Sequence, residues 1–188
     1  MSELKKTSGV DFEVRWHPYQ LNPNAPKEGQ NKLQMYQDKF GAARVAQMLP
    51  QMTKVYSDLG LNYSIGGLTG NTLDSHRLIY WAGQQGGAEV QNSLVEELFK
   101  NYFTEEKYIN DRTVLVAAAE KVGLQGAAEY LMDPNNGLKE VQEEMADMAR
   151  GVSGVPHFTI SDRYVLSGAQ DPSTFVQAFK KVLEERKA

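Results

Sequence analysis

The feature that most constrains the fold is a long block of helical periodicity placed between short segments that alternate like strands. Residues 31–151 repeat apolar side chains at three- and four-residue steps, interrupted by Gly60, by Gly86 and Gly87, and by Gly123. That spacing is typical of helices that bury one stripe of their surface. We therefore expect several amphipathic helices that pack largely on one another.

The segment before this block predicts a strand. Residues 11–17 place Phe12, Val14 and Trp16 on one face, which is the period of two expected for a half-buried strand. The stretch from Tyr19 onward is rich in proline and is expected to be a loop.

The segment after the block predicts a hairpin and a last helix. Residues 157–160 and 164–166 are two short apolar runs separated by a turn, which favours an antiparallel hairpin. Asp171-Pro172 combines a capping side chain with proline at the first helical position, and this pair indicates a helix start. The expected order is strand, helical insertion, hairpin, helix.

The absence of cysteine limits the reactions that this sequence can catalyse more than any other feature of its composition. The 188 residues contain no cysteine and three histidines. Disulfides, thiolate nucleophiles and cysteine-based metal sites are therefore excluded within this sequence. The histidines do not follow a metal-binding spacing. We expect neither a catalytic residue nor a metal site.

Charge and hydropathy exclude other classes of partner. The formal net charge is −4, so no general attraction to nucleic acid or to an anionic membrane is expected. No apolar run is long enough to cross a bilayer. The polar residues 1–9 lack the apolar stretch of a signal peptide, and we therefore expect a cytoplasmic location.

Five short stretches carry more specific information: Arg15–Pro23, Gly70–Leu78, Val95–Phe99, Gly154–Phe158 and Ser167–Gln170. Taken together with the element order, they resemble the DsbA-like thioredoxin-fold family, in particular its FrnE-type disulfide oxidoreductases. The resemblance runs from about residue 11 to residue 185. It implies an α/β thioredoxin-like fold of the DsbA type with a large all-helical insertion. Residues 1–30 and 152–188 would form the thioredoxin-like core, and residues 31–151 the insertion domain.

The resemblance also implies what this sequence lacks. Members of the family have a first strand and a Cys-x-x-Cys motif before the position that matches residue 1, and residues 1–6 look like the remnant of the helix that follows. The first strand lies centrally in the family's sheet, so its loss leaves two edges without a partner. Three explanations stay open: a truncated or alternatively started product, a strand supplied by a partner, or a rearranged fold. We expect the sheet half to be the weaker part, with residues 11–17 mobile or paired with a second chain.

Five residues are predicted to bind substrate by this resemblance. Pro156 matches the family's cis-proline, which lets the preceding Val155 offer its backbone to an extended ligand. Asn71, His76 and Arg77 match the helix that borders the substrate groove. For His76 and Arg77 two interpretations are open: polar contact with a ligand, or a satisfied buried histidine and a structural ion pair.

Three functions follow from the resemblance. The first is a disulfide oxidoreductase or isomerase of the FrnE type that is inactive in thiol exchange because the dithiol is missing. The second is a redox-inert module that binds a peptide or glutathione. The third is a glutathione-dependent isomerase similar to the 2-hydroxychromene-2-carboxylate isomerases. No cofactor is expected apart from glutathione, the partner is a peptide or small thiol, and the incomplete sheet favours a homo-oligomer.

Overall fold

The computed structural model describes residues 1–186, apart from the side chains of Ser2 and Glu3. This range contains eight helices and four short strands. In chain order they are α1 (Ser2–Ser8), β1 (Gln30–Asn31), α2 (Lys32–Phe40), α3 (Ala42–Asp58), β2 (Leu68–Thr69), α4 (Leu73–Phe103), α5 (Arg112–Lys121), α6 (Ala127–Met132), α7 (Leu138–Met148), β3 (His157–Ile160), β4 (Tyr164–Ser167) and α8 (Pro172–Glu185).

Two compact units divide the chain. The first, the hairpin unit, joins Met1–Glu13 to the chain from Ala149 onward, and the second, the helical unit, is Val14–Met148. The division drawn from the sequence assigned residues 14–30 to the thioredoxin-like core and 31–151 to the insertion. Those domain boundaries remain a prediction.

The core of the helical unit is formed by α4, α5 and α6, as the periodicity predicted. Gly87 has φ 68° and ψ −167°, a non-helical conformation that breaks α4 into two segments. At the N-terminus of α5 the Asp111 side chain accepts a hydrogen bond from the Thr113 backbone N–H. The buried apolar residues packed together here are Leu78, Ala82, Leu94, Leu98, Leu115, Ala118, Ala119, Leu124, Ala127 and Leu131.

The first part of the helical block differs from the prediction. The periodicity was interrupted first at Gly60, but Gly41, with φ 84° and ψ 139°, already separates α2 from α3. Pro50 lies inside α3. The strands β1 and β2 pair antiparallel through two residues each. Lys32, which follows β1, is buried.

The hairpin unit consists mainly of β3, β4 and α8. The hairpin is confirmed, with Phe158 opposite Leu166 and Ile160 opposite Tyr164. The helix start at Asp171-Pro172 is also confirmed, since the Asp171 side chain accepts from the Ser173 backbone N–H. Within the described part of this unit, Leu4 is the one buried apolar residue, with 8% of its surface exposed.

Residues 11–17 form neither a helix nor a strand, so the strand predicted there is wrong for the described chain. In the helical unit the Gln91 side chain takes the place of a neighbouring strand at Trp16. The Trp16 backbone N–H donates to Gln91 Oε1 at 2.9 Å, and Gln91 Nε2 donates to the Trp16 carbonyl at 3.0 Å. In the hairpin unit Phe12 packs on Phe179 at a centroid distance of 4.9 Å. Phe12 and Trp16 therefore each have an aromatic partner, Phe179 and Phe99 respectively.

No helix within residues 1–186 is both long enough and apolar enough to span a bilayer.

Candidate functional site

The loop before β3 carries Val155 and Pro156, and the peptide bond between them is cis. The Pro156 carbonyl accepts a hydrogen bond from the Gly168 N–H at 2.8 Å, which fixes the loop against the end of β4. Val155 is 44% exposed. Within the described residues its backbone N–H and carbonyl make no hydrogen bond. Val155 is therefore an exposed residue whose backbone groups are unpaired in the described chain.

Asn71 organises the loop that precedes α4. Its side-chain Nδ2 donates to the Pro23 carbonyl at 2.9 Å, and its backbone N–H donates to the Pro26 carbonyl at 3.1 Å. Its Oδ1 accepts from the Leu73 N–H at 2.9 Å and from Gln20 Nε2 at 3.3 Å. The side chain is buried and its polar atoms are occupied, so Asn71 joins the proline-rich loop to the first turn of α4.

His76 lies one turn into α4 and is held at both ring nitrogens. Its Nδ1 is 2.6 Å from the Thr72 carbonyl, and its Nε2 accepts from the Tyr19 backbone N–H at 3.4 Å. A carbonyl only accepts and an N–H only donates, so the proton belongs on Nδ1 and the ring is neutral. Burial lowers the pKa of His76, which favours the same neutral form, against a smaller opposing effect of the Thr72 hydrogen bond.

Arg77 is fully buried. Its Nη1 donates to Asp74 Oδ1 and its Nε to the Asn136 carbonyl, each at 2.7 Å. Nη2 donates to the Asp133 carbonyl. The guanidinium thus connects α4 to the turn between α6 and α7, and this geometry favours the structural interpretation of the arginine.

A cavity of about 110 Å³ lies in the helical unit beside His76. His17 Nδ1 is 2.6 Å from Glu144 Oε1, which brings the segment after residue 16 to α7. Burial raises the pKa of Tyr80, and the negative charges of Glu140 and Glu144 raise it further. The remaining walls are apolar: Trp16, Pro18, Ile79, Val95 and Phe99.

Comparison with known proteins decides the family. The model of the DSBA-like thioredoxin domain matches residues 1–180. The chain belongs to the DSBA-like thioredoxin domain family. A crystal structure of a probable DsbA oxidoreductase from Streptomyces coelicolor superposes with a TM-score of 0.80 and 28% identity, covering 89% of this chain and 74% of that one. The uncharacterized protein YwbO of Bacillus subtilis is 26% identical over 179 residues, which cover 90% of this chain and 82% of YwbO.

Family membership confirms the DsbA-like thioredoxin fold expected from the sequence. Of the five predicted site residues in this DSBA-like chain, Val155 and Pro156 lie in the hairpin unit. Asn71, His76 and Arg77 lie together at the start of α4 in the helical unit, where hydrogen bonds to the chain's own backbone hold each of them.

Sequence reasoning missed other residues of the helical unit. Glu144 was not singled out, yet it contacts His17 across 127 positions of sequence. Lys32 was not singled out, although burial lowers its pKa to about 8. Its Nζ donates to the Tyr102 carbonyl at 2.6 Å and lies 4.0 Å from the centroid of the Tyr102 ring. No local pattern marks either pair, because each is formed by segments far apart in the chain.

Proposed function

We propose that these 188 residues form a redox-inert DSBA-like module, of the FrnE type, that binds an extended peptide at the Val155–Pro156 loop. Thiol–disulfide exchange begins with attack of a thiolate on a disulfide sulfur. The sequence contains no cysteine to supply that thiolate. The proposed role is therefore binding without exchange.

The observation that carries the binding proposal is the unpaired backbone of Val155 in a residue that is 44% exposed. An extended ligand gains affinity by pairing its main chain with unpaired N–H and C=O groups, while adjacent side chains select its sequence. Val155 offers both features, since its backbone groups have no partner in the described chain and its side chain is 44% exposed. The Pro156 carbonyl is already paired with Gly168, so the loop is held in place before a ligand arrives.

The five predicted residues then have different roles. We assign Val155 and Pro156 to direct contact with the ligand. Asn71 and His76 hold the loop around residues 19–26 within the helical unit through their polar atoms, and we assign them a structural role there. Arg77 holds the turn at residues 133–136 and lies out of reach of a ligand.

The redox half of the proposal is tested by turnover. Purified protein should neither reduce insulin nor oxidise a dithiol peptide above the rate of a buffer blank, after contaminating thiols have been removed. Turnover that persists after that treatment and scales with protein concentration would overturn the inert assignment.

The binding half is tested with an insulin B chain whose cysteines have been carboxamidomethylated, so that only non-covalent binding is measured. Val155→Asp should weaken its binding about ten-fold, because a charge is introduced where the ligand backbone must dock. The matched control is Val165→Asp, on β4 of the same hairpin, where Val165 is 58% exposed. Equal losses in both variants would place the ligand elsewhere.

S-methylglutathione is the second probe in this experiment. Saturable binding of that compound, with no binding of the modified B chain, would favour the glutathione-dependent alternatives. Sedimentation measurements on the same samples test the predicted homo-oligomer, which would use the unpaired edges of β3 and β4. The cytoplasmic location remains a prediction.

A further inference from the structure

The cavity beside His76 is lined by residues that have no role in the proposed peptide site. Trp16 packs edge-on against Phe99 at a centroid distance of 5.6 Å, and Ile79 completes the apolar side. Tyr80 and Glu144 line the same space. All of these residues belong to the helical unit, whereas the Val155–Pro156 loop belongs to the hairpin unit.

The polar groups of this cavity are suited to accepting hydrogen bonds. Glu144 uses Oε1 for His17, and within the described residues Oε2 and the Tyr80 hydroxyl have no partner. Lysine and arginine are absent from the lining within the described chain. His17 contacts only Oε1, so a ligand here meets the second carboxylate oxygen and a hydroxyl with no lysine or arginine beside them, which favours a positively charged donor.

The volume sets the size of that donor. About 110 Å³ corresponds to roughly three or four water molecules. A cavity of this volume can hold a compact polar group attached to a short hydrocarbon chain. Trp16, Tyr80 and Phe99 also line the cavity, and an aromatic ring attracts a cation that approaches its face.

We propose that this cavity binds a primary ammonium group on a short apolar stem, with Glu144 as its counter-ion. His17 acts as a positioning residue, because its contact with Oε1 orients the carboxylate while Oε2 stays free. Tyr80 supplies a second acceptor, and Trp16 and Phe99 enclose the stem. The ammonium can come from a free alkylamine or from the lysine side chain of another protein.

The test is a titration of ¹⁵N-labelled protein with n-butylammonium chloride, followed at the two tryptophan indole N–H signals. The Trp16 signal should shift saturably, because its ring lines the cavity and its Nε1–H is fixed by Asn92 Oδ1 at 2.9 Å. Trp81 stacks on Tyr130 outside this lining and should not respond. Sodium chloride at the same ionic strength and uncharged 1-butanol serve as ligand controls, and 1-butanol should bind at least ten-fold more weakly.

Matched variants isolate the carboxylate. Glu144→Gln should weaken n-butylammonium binding about ten-fold, whereas Glu143→Gln, on the same helix and exposed, should leave it unchanged. Tyr80→Phe provides a second variant with a smaller loss of about three-fold, which keeps the test valid should Glu144→Gln fold poorly. Nα-acetyl-lysine amide distinguishes the two sources, because only a site open to protein lysines binds it as tightly as n-butylammonium.

Three results would overturn the proposal: a Trp16 shift that does not saturate, equal affinity for 1-butanol, or equal weakening by Glu143→Gln and Glu144→Gln. Each is distinguishable from failure of the proposed peptide site. The carboxamidomethylated B chain and the Val155 variants test a loop in the other unit.

Discussion

The helical unit and the hairpin unit bury their apolar side chains to very different extents. Among the described residues, thirteen of the fourteen buried apolar residues belong to the helical unit, and Leu4 is the remaining one. The hairpin unit relies instead on partly exposed aromatic contacts such as Phe158 with Phe175 at 4.8 Å. Since burial of apolar surface is the main favourable term in folding, we expect the helical unit to be the more stable of the two. The sheet half was predicted to be the weaker part.

The largest effect should come from breaking the buried arginine network of the helical unit. Arg77→Met leaves the carbonyls of Asp133 and Asn136 and the Asp74 carboxylate without their donor. We expect a loss of about 3–5 kcal/mol in the free energy of unfolding, the usual result of removing one partner of a buried charged network. Urea unfolding followed by tryptophan fluorescence measures this unit, because Trp16 and Trp81 both lie in it.

The matched control for that variant is Arg112→Met. Arg112 is exposed and its Nε is 4.0 Å from Asp74 Oδ2, so its removal should change stability by less than about 0.5 kcal/mol. A similar loss for both arginines would mean that overall charge, and not the buried network, determines the result.

Deleting one leucine from each unit tests the comparison directly. Leu94 has no exposed surface, and Leu94→Ala should cost about 2–5 kcal/mol through lost burial and a residual cavity. Leu166, opposite Phe158 in the hairpin, is only partly buried, and Leu166→Ala should cost about 1 kcal/mol or less. Tryptophan fluorescence should report the first change strongly. If the two variants were equally destabilised, the contrast in burial would have no energetic meaning.

Lys32 should make the stability of the helical unit increase with pH. Burial lowers its pKa from 10.5 to about 8, so between these values the unfolded chain holds a proton that the folded chain has released. Stability then rises with pH in that window. Wild type should gain about 2 kcal/mol between pH 7 and pH 9.5 relative to Lys32→Met, which has no charge to titrate.

Tyrosine ionisation in the unfolded chain is common to wild type and Lys32→Met, so it cancels in their difference. Burial raises the pKa of Tyr63, Tyr102 and Tyr130 to about 12, which lowers stability as the pH rises through the unfolded-chain tyrosine pKa of about 10. A flat difference between wild type and Lys32→Met across the window would show that the lysine is solvated in solution.

Interactions between residues close together in the sequence were predictable, whereas interactions between distant residues were not. Caps such as Asp111 and Asp171 lie within two residues of the groups they bind, and they were recognisable. The strand at 11–17 was predicted wrongly because alternating apolar residues indicate that a segment has one buried and one exposed side, but they do not show what its backbone pairs with. At Trp16 the backbone pairs with the side chain of Gln91. The cavity depends on His17 and Glu144, and no local pattern relates positions so far apart.

The smallest predicted effect concerns the segment that links the two units. Phe12 packs on Phe179 in the hairpin unit, and Phe12→Leu should remove an aromatic pair worth about 1 kcal/mol. If the units open separately, hydrogen exchange should speed up in β3, β4 and α8 while α5, in the helical core, keeps its protection. Trp16→Phe is the matched variant on the helical side, where it removes the indole N–H donated to Asn92. It should affect exchange around α4 and leave the hairpin unchanged. Equal acceleration throughout the chain in both variants would show one cooperative unit, and the comparison between the two halves would then describe burial without describing stability.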